Sequence, residues 1–239
     1  MNHLFLVLMP YGSCFPRHSA AAIPQGLQDR EIISLMKQPF AVRQMELKKL
    51  STPAHSRFAT LAFEAQQPMT VRWNAIMAMV TVGKSHAIPT LMDAAKADVW
   101  YMRSAALVGL RQLDKSSAAK LAQQFLSDKS LLVRSTAVTT ISQLQESTLT
   151  PDLWNSLEDK NNFRHGKGLF IRRQITEALA SLAISGDEPR FIKLLEDADP
   201  QVQTAALAGL QRLTGHSLGT DDQSIPEKKA LWTAWWKSR

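Results

Sequence analysis

A short motif recurs along the chain at nearly regular intervals, and it constrains the fold more than any other feature. The motif is an apolar residue followed by arginine, and in its sixth copy glutamine replaces the arginine. The copies are Val42-Arg43, Val71-Arg72, Met102-Arg103, Val133-Arg134, Ile171-Arg172 and Val202-Gln203. They are separated by 29, 31, 31, 38 and 31 residues. A repeat of this length indicates a supersecondary unit that buries its apolar face only by stacking on neighbouring copies.

Each copy opens a stretch with the periodicity of an amphipathic helix. After Met102, apolar residues recur at three- and four-residue spacing as far as Leu113, which is typical of a helix with one buried face. Gly109 and Gly209 fall inside two of these helices, where glycine costs about 1 kcal/mol relative to alanine. We therefore expect a neighbouring helix to lie very close at both positions.

A shorter helix is predicted before five of the motifs. The predicted segments are Ser56–Glu64, Ile88–Lys96, Ala118–Leu126, Pro151–Leu157 and Glu188–Leu195. Proline and glycine separate the helices, and no long period-two apolar run indicates a strand. The expected fold class is all-α, a right-handed α-α superhelix or solenoid of about six helix pairs.

Acidic residues before the motif complete a pattern that resembles the HEAT repeat. Asp98 and Asp128 precede the third and fourth copies, and Asp197 and Asp199 precede the sixth. The pattern covers roughly residues 40–215 and is most similar to the short bacterial repeats grouped with phycobilisome-lyase-like HEAT proteins. The resemblance implies a HEAT-like solenoid but no single function, because such repeats serve unrelated roles.

Three regions are expected along the chain. Residues 1–25 form a leader that is either a signal peptide or disordered, residues 26–215 form the solenoid, and residues 216–239 form a C-terminal loop and capping helix. The leader has a short apolar run without a preceding Lys or Arg, so a cytoplasmic and an exported, periplasmic location both stay open. No transmembrane segment is predicted, because no apolar run reaches about 18 residues.

The C-terminal segment 225–237 has an aromatic stripe. At helical spacing, Leu231, Trp232, Trp235 and Trp236 lie on one face. We interpret this face as a cap over the open apolar edge of the last repeat. An exposed aromatic anchor for a partner is the alternative.

The arginines of the motif permit two interpretations. In a stack they form one column. In the first interpretation each arginine bonds to an aspartate and to carbonyl groups at helix ends. In the second, the row of cations faces a polyanion. The chain carries a net charge of +7 with a pI of about 9.7, which is compatible with an acidic partner.

The one long step in the repeat locates a basic insertion. Its seven additional residues lie between Leu157 and Arg172, in the turn joining the two helices of one repeat. We expect Gly166 and Gly168 to loosen this backbone before a helix N-terminus, where an anion is favoured. The predicted anion-binding residues are Arg164, His165, Lys167, Arg172 and Arg173. A solvated basic turn without function is the alternative.

A non-enzymatic HEAT-repeat scaffold for protein–protein interaction is the leading functional hypothesis. The candidate partner-binding residues are Arg72, Trp73, Trp100, Tyr101 and Arg103, since Trp, Tyr and Arg are enriched in binding hot spots; packing between repeats is their alternative role. Nucleic-acid binding through the phosphate backbone is a second hypothesis, and a lyase- or chaperone-type subunit follows from the resemblance alone. The six histidines show no ligand spacing and there is one cysteine, so no catalytic residue, metal or cofactor is predicted, and a monomer is expected.

Overall fold

The computed structural model describes residues 28–239, which form thirteen α-helices joined by short connections. The first seven helices are α1 Gln28–Lys37, α2 Phe40–Leu47, α3 His55–Phe63, α4 Met69–Gly83, α5 Ile88–Ala94, α6 Trp100–Leu113 and α7 Lys115–Phe125. The other six are α8 Leu131–Leu144, α9 Thr150–Leu157, α10 Phe170–Leu182, α11 Glu188–Leu194, α12 Pro200–Thr214 and α13 Ile225–Lys237. None of the helices in this part of the chain is long and apolar enough to cross a membrane. The predicted leader, residues 1–25, lies outside the described residues.

Helices α3 to α12 form five consecutive pairs, each with a first helix and a second helix. Within each pair the two helices pack together, and the second helices α4, α6, α8, α10 and α12 also pack side by side in that order. Helices α1 and α2 contact α4 at one end of the stack, and α13 contacts α11 and α12 at the other. The prediction of an all-α, HEAT-like solenoid of helix pairs is confirmed, and the predicted first helices match α3, α5, α7, α9 and α11 to within three residues.

Proline and capping side chains determine where several helices begin. Helices α5, α9, α11, α12 and α13 have proline in the first two positions, where its missing N–H would have had no helical acceptor. The carboxylate of Asp114 accepts from the Ser117 N–H at the start of α7, and that of Asp199 accepts from the Gln201 N–H at the start of α12. Gly215 directly follows the last residue of α12 and caps the helix, and its φ of 70° is a left-handed conformation that favours glycine.

The two mid-helix glycines lie where helices approach closely, as predicted. A Cβ atom on Gly109 would lie 2.8 Å from Leu91 and 2.9 Å from Val80, and one on Gly209 would lie 2.6 Å from the Phe191 ring. All three neighbouring side chains belong to the buried core. The close contact therefore explains why glycine is kept despite its low helix propensity.

We expect Gly209→Ala to lower the free energy of unfolding by about 1 kcal/mol, because overpacking a core costs about 1–3 kcal/mol and outweighs the helix-propensity gain of about 1 kcal/mol. Phe191 is fully buried and contacts Trp154 with ring centroids 5.0 Å apart, so its ring has little room to move. Urea denaturation followed by circular dichroism measures the effect. Gln211→Ala, at an exposed position of the same helix, is the control, and a stabilised Gly209→Ala variant would contradict the prediction.

Candidate protein-interaction edge

Five arginines of the repeated motif, which we call the arginine ladder, lie where the second helices and α2 begin. Their exposed fractions are Arg43 8%, Arg72 8%, Arg103 6%, Arg134 4% and Arg172 5%. Each side chain leaves the first turn of its helix and bonds to residues at the ends of helices or between them, so the ladder follows one edge of the stack. We refer to this edge as the N-terminal edge.

Two rungs of the ladder are bidentate ion pairs between successive repeats. The Nε and Nη2 atoms of Arg103 each donate to the Asp128 carboxylate at 2.7 Å. Arg172 donates to the Asp197 carboxylate through Nη1 at 3.1 Å and Nη2 at 2.7 Å. Because each aspartate lies just before the next second helix, these pairs bind the starts of neighbouring second helices together. Charged bidentate pairs of this kind are among the stronger hydrogen bonds in proteins.

The two aspartates are held as carboxylates by these contacts. Burial raises the pKa of the Asp128 carboxyl. Hydrogen bonds from Arg103 and from the Ser130 N–H, together with the arginine charge, lower it by more than burial raises it, so the pKa lies below its ordinary value. Asp197 has the same balance, with Arg172 and the Asp199 N–H as donors, so its pKa is also lowered. Both ion pairs are therefore present at neutral pH.

Arg43 and Arg72 use neutral acceptors. Arg43 Nη1 donates to the Gln38 carbonyl at 2.8 Å, and burial lowers the pKa of Arg43. Arg72 Nε donates to the Ala62 carbonyl at 2.8 Å, and its Nη1 donates to the Tyr101 hydroxyl at 2.7 Å. The guanidinium carbon of Arg72 also lies 5.3 Å from the centre of the Tyr101 ring, a cation–π distance.

These contacts correct part of the predicted sites. Arg72 and Arg103 were placed among the partner contacts and Arg172 among the anion-binding residues, but all three are buried and bonded inside the stack. The physical reason is that each arginine continues the buried stripe of its helix and must satisfy its donors internally. The contacts support the structural interpretation of the arginine column.

A row of exposed apolar side chains lies on the same edge, and we call it the apolar row. Its members occupy the first or second position of α2, α4, α6, α8 and α10 and have these exposed fractions: Phe40 68%, Met69 47%, Trp100 36%, Leu132 47% and Phe170 54%. The ladder brings the starts of α4, α6, α8 and α10 together, so four of these side chains lie along one edge, and Phe40 lies at the start of α2, which contacts α4 at the end of the stack. Isolated exposed apolar residues are common in proteins, whereas a contiguous set usually marks an interaction surface.

The predicted partner residues lie beside this row, and only Trp100 is a member of it. Trp73 and Tyr101 are half-buried and pack against the core. The Trp100 ring contacts the Tyr101 ring edge to face, with centroids 5.8 Å apart. The other four members, Phe40, Met69, Leu132 and Phe170, were not among the predicted partner residues. A signal for them exists in the sequence, because each is an apolar residue two or three positions before a motif arginine.

The N-terminal edge has an electrostatic character of its own. Helices α2, α4, α6, α8, α10 and α12 have no acidic residue in their first turn, although acidic residues are stabilising there. Moreover, α4, α6 and α8 contain no Asp or Glu at all. The first turns of these helices therefore do not compensate the positive ends of their dipoles, and the acidic groups at this edge are aspartates that precede the helices, such as Asp128 before α8 and Asp199 before α12.

The inserted residues form a β-hairpin at this edge. The connection between the two helices of a pair has five residues in four of the pairs, but it has twelve, residues 158–169, between α9 and α10. Strand β1, Phe163–Arg164, pairs antiparallel with β2, Lys167–Gly168, so that Phe163 faces Gly168 and Arg164 faces Lys167. His165 and Gly166 join the strands with φ values of 51° and 75°, and positive φ at both positions indicates a type I′ turn. We call residues 163–168 the basic hairpin.

The hairpin glycines have a different role from the expected one. They were expected to loosen the backbone, whereas Gly166 provides the positive φ of the tight turn. A Cβ on Gly168 would lie 2.9 Å from Cδ of Arg172. Glycine thus permits close contact between the hairpin and the arginine ladder.

Asn162 fastens the hairpin to the ladder. Its side chain is fully buried, donates to the Ser156 carbonyl at 2.7 Å and accepts from Arg134 Nε at 2.9 Å. Its backbone carbonyl accepts from the Leu169 N–H at 2.9 Å. Asn162 therefore takes the place that Asp128 and Asp197 have in other repeats, with a neutral acceptor.

Three of the five predicted anion-binding residues are exposed without an internal partner. Arg164, His165 and Lys167 are exposed, and within residues 28–239 their side chains make no hydrogen bond or ion pair. Arg173 is also exposed, but its Nε pairs with Glu177 at 3.1 Å. Arg172 is the buried partner of Asp197. The basic hairpin thus presents an imidazole and two cations to solvent.

A cleft of about 730 Å³ separates the basic hairpin from the start of α12. Lys167 lines it on the hairpin side, and Lys193 and Glu196 line it from the end of α11. The other charged residues of its walls are Glu158, Asp199 and the ion-paired Arg172 and Asp197. The cleft therefore contains charges of both signs. Among residues 28–239, no three potential metal ligands come together here or elsewhere.

The described residues therefore form an all-α helical-repeat solenoid of the HEAT and armadillo type. No protein-family model matches the chain, and no curated protein matches it significantly. Solved structures with a similar fold include a designed armadillo repeat protein, with 16% identity, a TM-score of 0.45 and coverage of 77% of this chain and 99% of the other. The complex of CpcE and CpcF of phycocyanin lyase from Nostoc sp. PCC7120 has 16% identity, a TM-score of 0.42 and coverage of 94% and 99%.

Proposed function

We propose that this protein is a non-enzymatic scaffold that binds a protein partner along the apolar row. The observation that carries the proposal is the recurrence of a large exposed apolar side chain at the start of five alternate helices, α2, α4, α6, α8 and α10. Burying these side chains in a partner would stabilise a complex by about 25 cal/mol per Å² of apolar surface removed from water. Folding of the stack itself leaves that surface exposed.

Trp100 is the expected centre of this interface. Its ring is held by Tyr101, and the Tyr101 hydroxyl is in turn held by the buried Arg72 at 2.7 Å. A side chain already fixed in its binding orientation loses little entropy when a partner covers it. Trp at the middle of a row of apolar neighbours is also the usual composition of a binding hot spot.

We expect the double variant Trp100→Ala, Leu132→Ala to bind its protein partner at least about 30-fold more weakly, since truncating a hot spot costs about 2 kcal/mol or more. Crosslinking capture from a native extract, followed by titration of the purified captured protein, measures this. The control is the double variant Met92→Ala, Ile184→Ala, which removes two apolar side chains that are 38% and 61% exposed but lie outside the apolar row. Equal affinity of the two double variants for the captured protein would refute the assignment of the row.

Nucleic-acid binding is the second candidate function, and one feature favours it. The free cations of the basic hairpin, Arg164 and Lys167, could neutralise phosphates. The carboxylates of Glu158 and Asp199, which also line the cleft, oppose it, because they would repel a continuous phosphate backbone. A lyase- or chaperone-type role stays a prediction by analogy.

A further inference from the structure

We infer that the segment bound by this scaffold is acidic as well as apolar, and that the basic hairpin binds its carboxylates. The inference rests on the proposed scaffold function and adds the chemistry of the partner. Three features of the hairpin carry it: an unfavourable charge arrangement, a rigid attachment, and a position continuous with the apolar row.

The charge arrangement of the hairpin costs stability in the free protein. Arg164 and Lys167 are directly opposite each other in the two-stranded pair, and like charges at such positions are destabilising. His165 at the turn adds an imidazole but no acid. Neither cation has a carboxylate partner within residues 28–239. An external anion would relieve the repulsion and accept hydrogen bonds from both side chains.

The hairpin is attached rigidly although it is exposed. Its base is held by the buried Asn162, and the guanidinium carbon of Arg172 lies 4.5 Å from the centre of the Phe163 ring. The type I′ turn matches the twist of the two strands. The backbone that carries the two cations is therefore fixed, so that a ligand must order only their side chains on binding.

The hairpin continues the apolar row. Gly168 ends the hairpin, and Phe170, which is 54% exposed, begins α10 two residues later. Leu132, 47% exposed, is the next member of the row. A ligand that covers these side chains and reaches the hairpin needs apolar groups followed by carboxylates, which is the composition of an acidic and apolar polypeptide segment.

Charge complementarity favours a polypeptide over nucleic acid. Duplex DNA carries about one negative charge per 1.7 Å of helix axis, so a backbone lying on the hairpin would also pass the carboxylates of Glu158 and Asp199, whereas Glu196 is paired with Lys229. A polypeptide can place its carboxylates against Arg164 and Lys167 alone. Exposed Lys193, on the far wall of the cleft, offers such a segment a further cation.

The test uses the full chain and short fluorescein-labelled poly-L-glutamate as the acidic probe, with fluorescence anisotropy at physiological ionic strength. We expect Arg164→Gln with Lys167→Gln to raise the Kd for this probe by roughly tenfold or more, since two charge-assisted contacts are lost. Lys115→Gln with Lys120→Gln makes the same charge change on α7 and controls for net charge. It should alter the Kd by less than about twofold, because charges beyond a Debye length are screened.

Several outcomes would overturn the inference. The first is that poly-L-glutamate does not bind, and the second is that both double variants weaken its binding equally. The third is that an oligonucleotide or anionic phosphatidylserine vesicles bind more tightly than poly-L-glutamate, and that this binding depends on the hairpin cations. The Trp100→Ala, Leu132→Ala variant separates this test from that of the scaffold function. It should lose the protein partner and keep poly-L-glutamate, so that failure of the apolar row and failure of the hairpin site give different results.

Discussion

Asp128→Ala is expected to lower the free energy of unfolding by about 3–5 kcal/mol, because breaking a buried ion pair leaves the other charge uncompensated. The side chains of Arg103 and Asp128 are only 7% and 8% exposed, so water cannot replace the carboxylate fully. The variant also removes the acceptor of the Ser130 N–H, 2.7 Å from Asp128. Urea denaturation followed by circular dichroism at neutral pH gives the magnitude.

Two further variants show whether the buried charge is the cause. Asp93→Ala breaks an exposed pair with Lys96 at 3.4 Å and should cost less than about 1 kcal/mol. Asp128→Leu combined with Arg103→Met removes both charges and should cost less than Asp128→Ala alone. A double variant as unstable as the single one would show that packing, rather than the unpaired guanidinium, accounts for the loss.

Acid titration provides an additional readout for the same variant. The folded pKa of Asp128 is lowered, so its contribution to stability is complete above the unfolded pKa of about 3.9 and is lost as the pH falls through the lower, folded value. Asp128→Ala should therefore show a shallower loss of stability below about pH 4 than the unchanged protein.

The repeat architecture could be predicted because the motif recurs once in each stacked helix pair. A buried helix pair needs apolar residues at helical spacing, and every repeat needs them at the same places, so the periodicity reveals both the helices and their order. The one long step between motifs even located the insertion, which the structure shows as residues 158–169 instead of a five-residue turn. The spacing did not predict the conformation of that insertion, because strands of two residues are too short to show a periodic pattern.

The direction of the arginines could have been deduced but was left open. Arg103 is followed at helical spacing by Ala106, Leu107 and Leu110, and all three are buried. The arginine thus begins the buried stripe of its own helix instead of facing solvent. What the sequence could not supply was the set of acceptors, since Tyr101 and Asn162 replace the expected aspartates in two rungs.

The apolar row was harder to recognise because its register changes. Met69 and Trp100 lie three residues before the motif arginine, whereas Leu132 and Phe170 lie two before it. A strictly periodic search averages these positions with half-buried neighbours such as Tyr101 and Leu131. Only the structure shows which of two adjacent apolar residues is exposed at each helix start, because the turn before the helix sets its rotation.

Trp232→Ala is expected to detach helix α13 from the end of the stack. Trp232 is 2% exposed and belongs to the buried core that runs through the stack. Truncating a buried Trp typically costs about 3–5 kcal/mol. Without this anchor, α13 has 13 residues, and isolated helices shorter than about 12–15 residues are marginal in water.

Hydrogen exchange localises the effect. The amides of α13 should lose most of their protection in Trp232→Ala, while those of α6 and α8 keep theirs, because stability in a repeat stack depends mainly on nearest neighbours. The ion pair of Lys229 with the 66% exposed Glu196 is too solvated to replace the tryptophan. Trp235, which packs against the core and the His216 ring, is only partly buried and would hold the helix less firmly. Leu231→Ala, at a position 40% exposed on the same helix, should cost less than about 1 kcal/mol. Unchanged protection of α13 in Trp232→Ala would mean that Trp232 does not anchor this helix, and would favour the alternative in which the aromatic stripe serves a partner.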